Sequence, residues 1–462
     1  MKLHYFLFLF LYGCKSIVPV PPEVVKSVAP TPKIILSNIT MPVEINLQGG
    51  LKEIETRVPL KFIGENHPCS GLGYTYTFDR EPIVFGLQDN TIFFSVSGGL
   101  GLNVNYCPGC HDLFGKEMCV VPRVYGSCGT NGEAKRKLVT QFQTSIKLNK
   151  NYLLEPSTKL NYVQLLDPCQ FSFMKINVTK EIESAIYNEL IQQEKEIDRQ
   201  ISAISLRSQL IEAWDKLQEP VVLNNFGFLY LRPKSIGFDK ITFNKYTATT
   251  NLRLSLAPAV LSNKTLKTIK TPLPEAEAQT KEKPFALYID VVSTYDSLNS
   301  MVNKTLRSAP VKIKRKTVYI DSVALFQVSQ DTLGLKLAFS GYKKGLLYFK
   351  GVPKIDSLTQ KLYIKNLSYT LSTRSVLLKS AKWLYSDKIL AHIQQNSTID
   401  LLPHIDKIKE TISLGLNQEL SSEAKLAGKL LAFSTREIYV AENSILVRCF
   451  MSADMKLKIL IP

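Results

Sequence analysis

No run of about 18 uncharged apolar residues occurs in the 462 residues, which excludes a polytopic helical membrane protein. Histidine is scarce at five, and no two histidines fall in a His-Glu-x-x-His arrangement, so the metallohydrolase signature is missing. Neither a phosphate-loop Gly-Lys-Ser/Thr nor a Gly-x-Ser-x-Gly nucleophile elbow is present, and Gly98-Gly99-Leu100-Gly101 lacks the spacing and following helix of a dinucleotide loop. His392 and His404 read as solvated or capping residues on helical faces, and Asp296 and Asp356 have no catalytic partner visible from spacing. The chain is therefore not expected to be an enzyme, and no catalytic residue or metal site is assigned. Acidic residues are in deficit, 40 against 57 Lys+Arg, for a formal charge of +17. Such a surplus suits anionic surroundings such as lipid headgroups, and equally lysines spread over solvated strand faces. With 45% hydrophobic and 21% charged residues the chain is globular rather than disordered, collagenous or coiled-coil. At roughly 150 residues per domain it has room for two or three domains.

The N-terminus carries the most specific signal. Met1-Lys2 is a minimal positive start, and the apolar stretch Leu3 to Tyr12 is too short to span a bilayer, which reads as a signal sequence. It ends in Leu11-Tyr12-Gly13-Cys14, which resembles a bacterial lipobox and implies that residues 1–13 are removed and Cys14 is lipidated. Two glyceryl acyl chains and one on the freed amine exceed what stable anchoring needs. Lys15 after the cysteine, with no acidic run, points to the outer membrane and its periplasmic face. In that compartment nucleic acid is not an expected partner, and a protein partner is not identifiable. Residues 14–36 form a tether, made semi-extended by Pro19, Pro21, Pro22, Pro30 and Pro32.

Beyond the tether one pattern is used twice. A strand near Asn38 to Leu47 precedes Leu51, Ile54 and Val58 at helical spacing; Phe285 to Val292 precedes Tyr295, Leu298, Met301, Val302 and Leu306. Period-two strands follow in both, marked by Leu72, Tyr74, Tyr76 and Phe78, and by Leu333, Leu335, Leu337 and Phe339. Gly341 and Gly345 bracket a hairpin turn. Each half then turns helical. One long helix is expected from an N-cap at Thr179 through Ile182, Ile186, Leu190, Ile197, Ile201, Ile204, Ile211, Trp214 and Leu217 to Pro220. Its counterpart spans Val376 to about Leu420, with Trp383, Leu384 and Ile389 early and a break or kink at Pro403. Strands return over Phe228 to Pro258 and Leu426 to Ile461. Aperiodic residues 262–284 read as a linker between a first domain, 37–261, and a second, 285–462.

Of the eight cysteines, Cys14 goes to lipid and Cys449, in an apolar run, reads as a small buried hydrophobe. The other six, Cys69, Cys107, Cys110, Cys119, Cys128 and Cys169, are disulfide candidates with 15 possible connectivities, among which Cys69 to Cys169 would make an outer clamp. Cys107-Pro108-Gly109-Cys110-His111 also matches the c-type haem attachment pattern, and Cys107, Cys110, Cys119 and Cys128 have a zinc-like first spacing. An oxidising compartment and the absence of an obvious second axial ligand favour structural disulfides, so no cofactor is expected. The basic run Lys312-Ile313-Lys314-Arg315-Lys316 alternates like an exposed strand that would meet anionic lipid or protect a sheet edge.

A long helix across a curved antiparallel sheet, duplicated in tandem, resembles the tubular lipid-binding (TULIP) superfamily that includes bactericidal permeability-increasing protein. The chain also resembles a bacterial lipoprotein family known as domain of unknown function 4403. The resemblance is carried by Ser37-Asn38-Ile39-Thr40-Met41-Pro42, Ser127-Cys128-Gly129, Asp167-Pro168-Cys169, Ala213-Trp214 with Pro220, and Gly351-Val352-Pro353 before Asp356. It implies an α+β fold of two tandem TULIP-like domains, each a long helix wrapped by a curved antiparallel sheet. In such a domain Ile186, Leu190, Ile197 and Ile201 would line a groove sheltering a lipid or glycolipid, or else be solid core. The expected function is to bind or transfer an amphipathic lipid. The rival is a non-catalytic assembly protein of the envelope that binds protein or glycan.

Overall fold

The computed structural model describes residues 21–23, 33–113, 116–170, 177–223, 227–262, 270–277, 285–306, 310–313, 316–341, 344–370 and 398–460. Cys14 with its lipobox, most of the tether, and Trp383, Leu384 and Ile389 of the second long helix lie outside the described residues. What is described is α+β and dominated by strands, in sheets of 18, six and two strands. The described helices are α1 (Gln48–Arg57), α2 (Thr179–Ser202), α3 (Arg207–Leu217), α4 (Tyr295–Leu306) and α5 (Leu402–Gly415). Among the described residues no helix is long and apolar enough to cross a membrane.

The repeated strand-then-helix unit is present in both halves: Ser37–Asn46 leads into α1, and Leu287–Thr294 into α4. The halves interlock through these strands. Ser37–Asn46 pairs antiparallel with Thr247–Leu256 of its own half and parallel with Ser444–Leu460 of the other, Val43 lying opposite Leu457. Leu287–Thr294 pairs antiparallel with Ser444–Leu460 and parallel with Ala259–Leu261. One continuous sheet therefore runs through both halves, and its core is shared. Trp214 of α3 and Ile405 of α5 pack into one cluster with Leu254, Leu256, Leu287, Phe433 and Met451.

Each half also has a strand array, here called its arm: in the first half it is part of the 18-stranded sheet, in the second a six-stranded sheet of its own. In the first, Lys61–Asn66, Gly71–Arg80, Thr91–Cys107, Arg136–Leu148 and Leu154–Leu165 pair antiparallel in that order, and Val124–Cys128 pairs with the far end of Thr91–Cys107. In the second, strands from Pro310–Ile313 to Ile399–Asp400 pair in chain order. Buried Arg80 locks α1 to the first arm. Its Nε donates to the Pro59 carbonyl (2.9 Å), Nη1 to Glu55 Oε1 (2.7 Å), and Nη2 to the Glu55 and Val58 carbonyls (2.9 and 2.7 Å). The Glu55 carbonyl in the last turn of α1 and the Val58 and Pro59 carbonyls just beyond the helix are satisfied this way.

Several expectations need correction. The helix expected from 179 to 217 is two helices, because the Leu206 N–H donates to the Tyr152 carbonyl (3.2 Å) and Ser205 bridges to Leu153, which outcompetes continued helix. Thr179 is the first helical residue; its Oγ1 accepts from the Cys169 N–H and donates to Asn177 Oδ1, so it ties the entry loop together rather than capping. At Pro403, by contrast, there is a break and no kink: Pro403 sits in the first turn of α5, directly after the Ile399–Asp400 strand, where its missing N–H costs nothing. The basic run forms a hairpin, Ile313 opposite Lys316, with residues 314–315 outside the described set. Residues 270–277 of the expected linker are a packed strap: Leu273 enters the shared core, and the Thr271 carbonyl accepts from Trp214 Nε1 (3.0 Å) and Gln218 Nε2 (2.9 Å).

A candidate lipid groove between helix and sheet

The strand Leu154–Leu165 has a strand partner on one side, Arg136–Leu148, and α2 lies along the other. Backbone donors on such an edge need acceptors, and α2 supplies them from carboxylates. The Thr158 N–H donates to Asp198 Oδ1 (3.0 Å), the Leu160 N–H to Glu194 Oε1 (2.7 Å), and the Leu165 N–H to Glu183 Oε1 (2.7 Å). Offsets of 11 and 15 residues are close to three and four helical turns, so the three carboxylates share one face. The helix is thus fastened to the sheet edge by charge-assisted hydrogen bonds, independently of its apolar stripe.

Two apolar clusters, called plugs below, lie on this part of the sheet. At one end Leu100, Leu138 and Leu165 pack with Ile182 and the Cys128 and Cys169 side chains. At the other, Leu51 of α1 packs with Leu87, Phe243 and Ala248, joined by Ile92 and Ile146. Leu138, Phe142 and Ile146 alternate along one strand and so share the face that meets α2. On that face between the plugs, Phe94 stacks on Phe142 with ring centroids 5.1 Å apart, and Leu160 lies opposite Phe142. Buried Thr144 and Thr158 share a hydroxyl hydrogen bond of 2.8 Å on the same floor.

The structure places all four sequence-predicted wall residues on one flank of α2. Ile186 packs against the plug at the disulfide end, whereas Leu190, Ile197 and Ile201 belong to neither plug. All four are half-buried, and Ile182 is the buried residue of this 24-residue helix. An amphipathic helix on its own sheet ordinarily buries its stripe; here Leu190, Ile197 and Ile201, spread over about 17 Å of helix rise, stay half-buried. Tyr76 stands at the side, its phenol pushed up by burial and by the charges of Tyr74 and Glu189. Sequence reading missed the floor residues Phe94, Phe142 and Leu160, since threonines at 140, 144 and 158 interrupt the apolar alternation that would have marked it. A separate open depression of about 670 Å³, lined by Gln88, Asp89, Asn90 and Lys240, lies over the Leu87–Phe243 plug.

All six candidate cysteines of the first arm are paired, as Cys69–Cys110, Cys107–Cys119 and Cys128–Cys169. The Cys69 to Cys169 clamp is not formed, because the chain folds the Cys110–Leu113 and Lys116–Cys119 strands into a small two-stranded sheet that brings Cys110 to Cys69. Haem attachment at Cys107, Cys110 and His111 would need both thiols, and a zinc site would need four; each sulfur is held in a bridge. Among the described residues no three His, Cys, Asp or Glu side chains gather as metal ligands. Cys449 is free and buried, and burial pushes its thiol up to about 12.

The profile of the family described as domain of unknown function, DUF4403, matches residues 36–459, nearly the whole described chain. The chain belongs to that family. No curated protein matches it. Among solved structures, a lipopolysaccharide binding protein is 11% identical, with 95% of this chain and 99% of that one covered at a TM-score of 0.23. P47 of Clostridium botulinum E1 is 8% identical over 91% and 100%, at 0.24, and P47 of Clostridium botulinum A2 is 10% identical over 90% and 96%, at 0.21. Likenesses this distant say nothing of what a DUF4403 chain binds.

Proposed function

We propose that this DUF4403 protein binds an amphipathic lipid, with its tails between α2 and the Phe94–Phe142 floor, as a non-catalytic carrier. The observation that supports it is the half-buried stripe Leu190, Ile197 and Ile201, held over an apolar floor by carboxylates rather than by its own packing. Acyl chains entering there would gain about 0.8 kcal/mol per buried methylene. In this reading the two halves are TULIP-like domains joined by a shared central sheet. The lipobox adds an anchor at Cys14 in the outer membrane, with the body facing the periplasm.

The test is native mass spectrometry with lipid extraction on the chain from Lys15 onward, exported to a bacterial periplasm and purified without detergent. Lipid at fixed stoichiometry, lost in Ile197→Asp with unchanged thermal unfolding, is the expected result. A clean apo mass that takes up no added phospholipid would sink the reading and leave the envelope-assembly role, with filled arms and a surface that binds protein or glycan. An added haem mass would reopen the attachment motif.

A further inference from the structure

The far end of the first arm carries an apolar surface that the groove does not use. Leu72, Tyr106 and Val124 stand directly opposite one another on three adjacent strands. Opposed residues share a face, so the three form one row, exposed by 54%, 49% and 62%. Nearby in the chain Met118, Val120 and Val121 are exposed, and Tyr125, which follows Val124 and so lies on the opposite face of the strand, is 70% exposed. An apolar cluster open to water on this scale marks an interaction site.

Three features identify what it meets. First, the surface is rigid: Cys69–Cys110 and Cys107–Cys119 tie its loops to the strand ends. Second, charge is sparse along the strand that borders it. Between Met118 and Cys128 the one charged residue is Arg123, in a chain with a formal charge of +17. The Arg123 guanidinium is turned inward, donating to Asn105 Oδ1 (2.6 Å) and to the Pro68 and Cys69 carbonyls (both 3.2 Å). The neighbouring Glu65 and His67 face each other at 3.4 Å. Third, its backbone is largely paired: Tyr106 with Val124, Cys110 with Cys119, and the Val120 N–H with the Gly109 carbonyl at 2.9 Å. Paired backbone, sparse charge and a tyrosine in the row suit an apolar–water boundary, since unpaired amides and charges are costly there. A protein interface would instead carry a polar rim.

We propose that this tip docks on a phospholipid bilayer, with Leu72, Tyr106 and Val124 entering the boundary between headgroups and acyl chains. Docking does not require the groove to hold lipid. It would turn the Cys128–Cys169 plug of the groove toward the membrane, because Val124–Cys128 is the strand that docks.

The test places a reporter in the row of the full chain, Tyr106→Trp, and mixes it with phosphatidylcholine vesicles with or without brominated acyl chains. Subtracting the wild-type signal removes Trp214 and Trp383. The added tryptophan is expected to shift to the blue and to lose at least half its intensity to bromine; adding Leu72→Glu and Val124→Glu should return it to its value in buffer. An added tryptophan that is neither shifted nor quenched while the protein sediments with vesicles would overturn the proposal. So would a dimer in solution that Leu72→Glu dissociates, which would assign the patch to a second copy. Thiol counting before and after reduction checks that the three bridges survive; should the glutamate variant misfold, quenching of Tyr106→Trp alone decides. Lipid extraction from the Leu72→Glu, Val124→Glu protein reads the groove separately, and its lipid should be retained.

Discussion

Glu194→Ala tests whether α2 is held to the sheet by carboxylates. Glu194 Oε1 accepts from the Leu160 N–H at 2.7 Å, and Leu160 is 5% exposed, so truncation leaves a buried amide without its acceptor. Stranding such a donor costs about 1–3 kcal/mol. At about 2 kcal/mol the local opening constant rises roughly 30-fold, since 1.4 kcal/mol is tenfold. Hydrogen exchange reads this directly: protection at Leu160 should fall by that factor, with a smaller fall at Thr158, whose N–H donates to Asp198 one turn along α2. Glu194→Gln keeps an oxygen acceptor without the charge and should lie between wild type and Ala, because charge-assisted bonds are about twice as strong as neutral ones. Glu181→Ala, at an exposed position in the first turn, is the control and should stay within about 0.5 kcal/mol of wild type. Unchanged Leu160 protection in Glu194→Ala would refute the reasoning and mean that apolar packing alone seats the helix.

Three further outcomes follow from buried groups. Arg80→Met should cost about 3–5 kcal/mol in urea unfolding, because it strands Glu55 and the α1 carbonyls that the guanidinium serves. Arg80 and the Ile83 N–H hold the Glu55 carboxyl below its ordinary 4.5. That stabilisation is present above about pH 4.5 and lost as pH falls through the lower folded value, so the acid limb of the stability profile should flatten in Arg80→Met. Cys449, with its thiol pushed up to about 12 by burial, should resist iodoacetamide at pH 8 in the folded protein and react once unfolded, read by peptide mass mapping. Replacing both Cys128 and Cys169 by Ser opens a loop of 41-residue separation; a loss of about 2–4 kcal/mol and faster exchange at the start of α2 are expected, measured by thermal unfolding and hydrogen exchange.

Much of the local structure was legible because its signals are local. Period-two residues such as Tyr74, Tyr76 and Phe78 mark strands, and Ile182, Ile186, Leu190, Ile197 and Ile201 mark one helix flank. The break at residues 203–206 was not legible, because its cause is a hydrogen bond from Leu206 to Tyr152, more than 50 residues away. Leu273 gave no period to read, being a single apolar residue in a polar stretch, yet it fills the shared core. The disulfide partners were equally out of reach: spacing restricts six cysteines to 15 pairings, and only folding of the strands around Cys110 and Cys119 selects one.

The sequence by itself determined the class of protein: strand-dominated α+β, built from a repeated strand-and-helix unit and free of the short catalytic motifs, because periodicity and motif spacing are encoded residue by residue. The tertiary structure decided the rest. It joined the halves through the parallel pairing of Val43 with Leu457, carried α2 along the edge strand on Glu183, Glu194 and Asp198, and left Leu190, Ile197 and Ile201 half-buried. Those outcomes depend on which distant surfaces meet, and a stripe of isoleucines reads the same in sequence whether the space beneath it is filled or open.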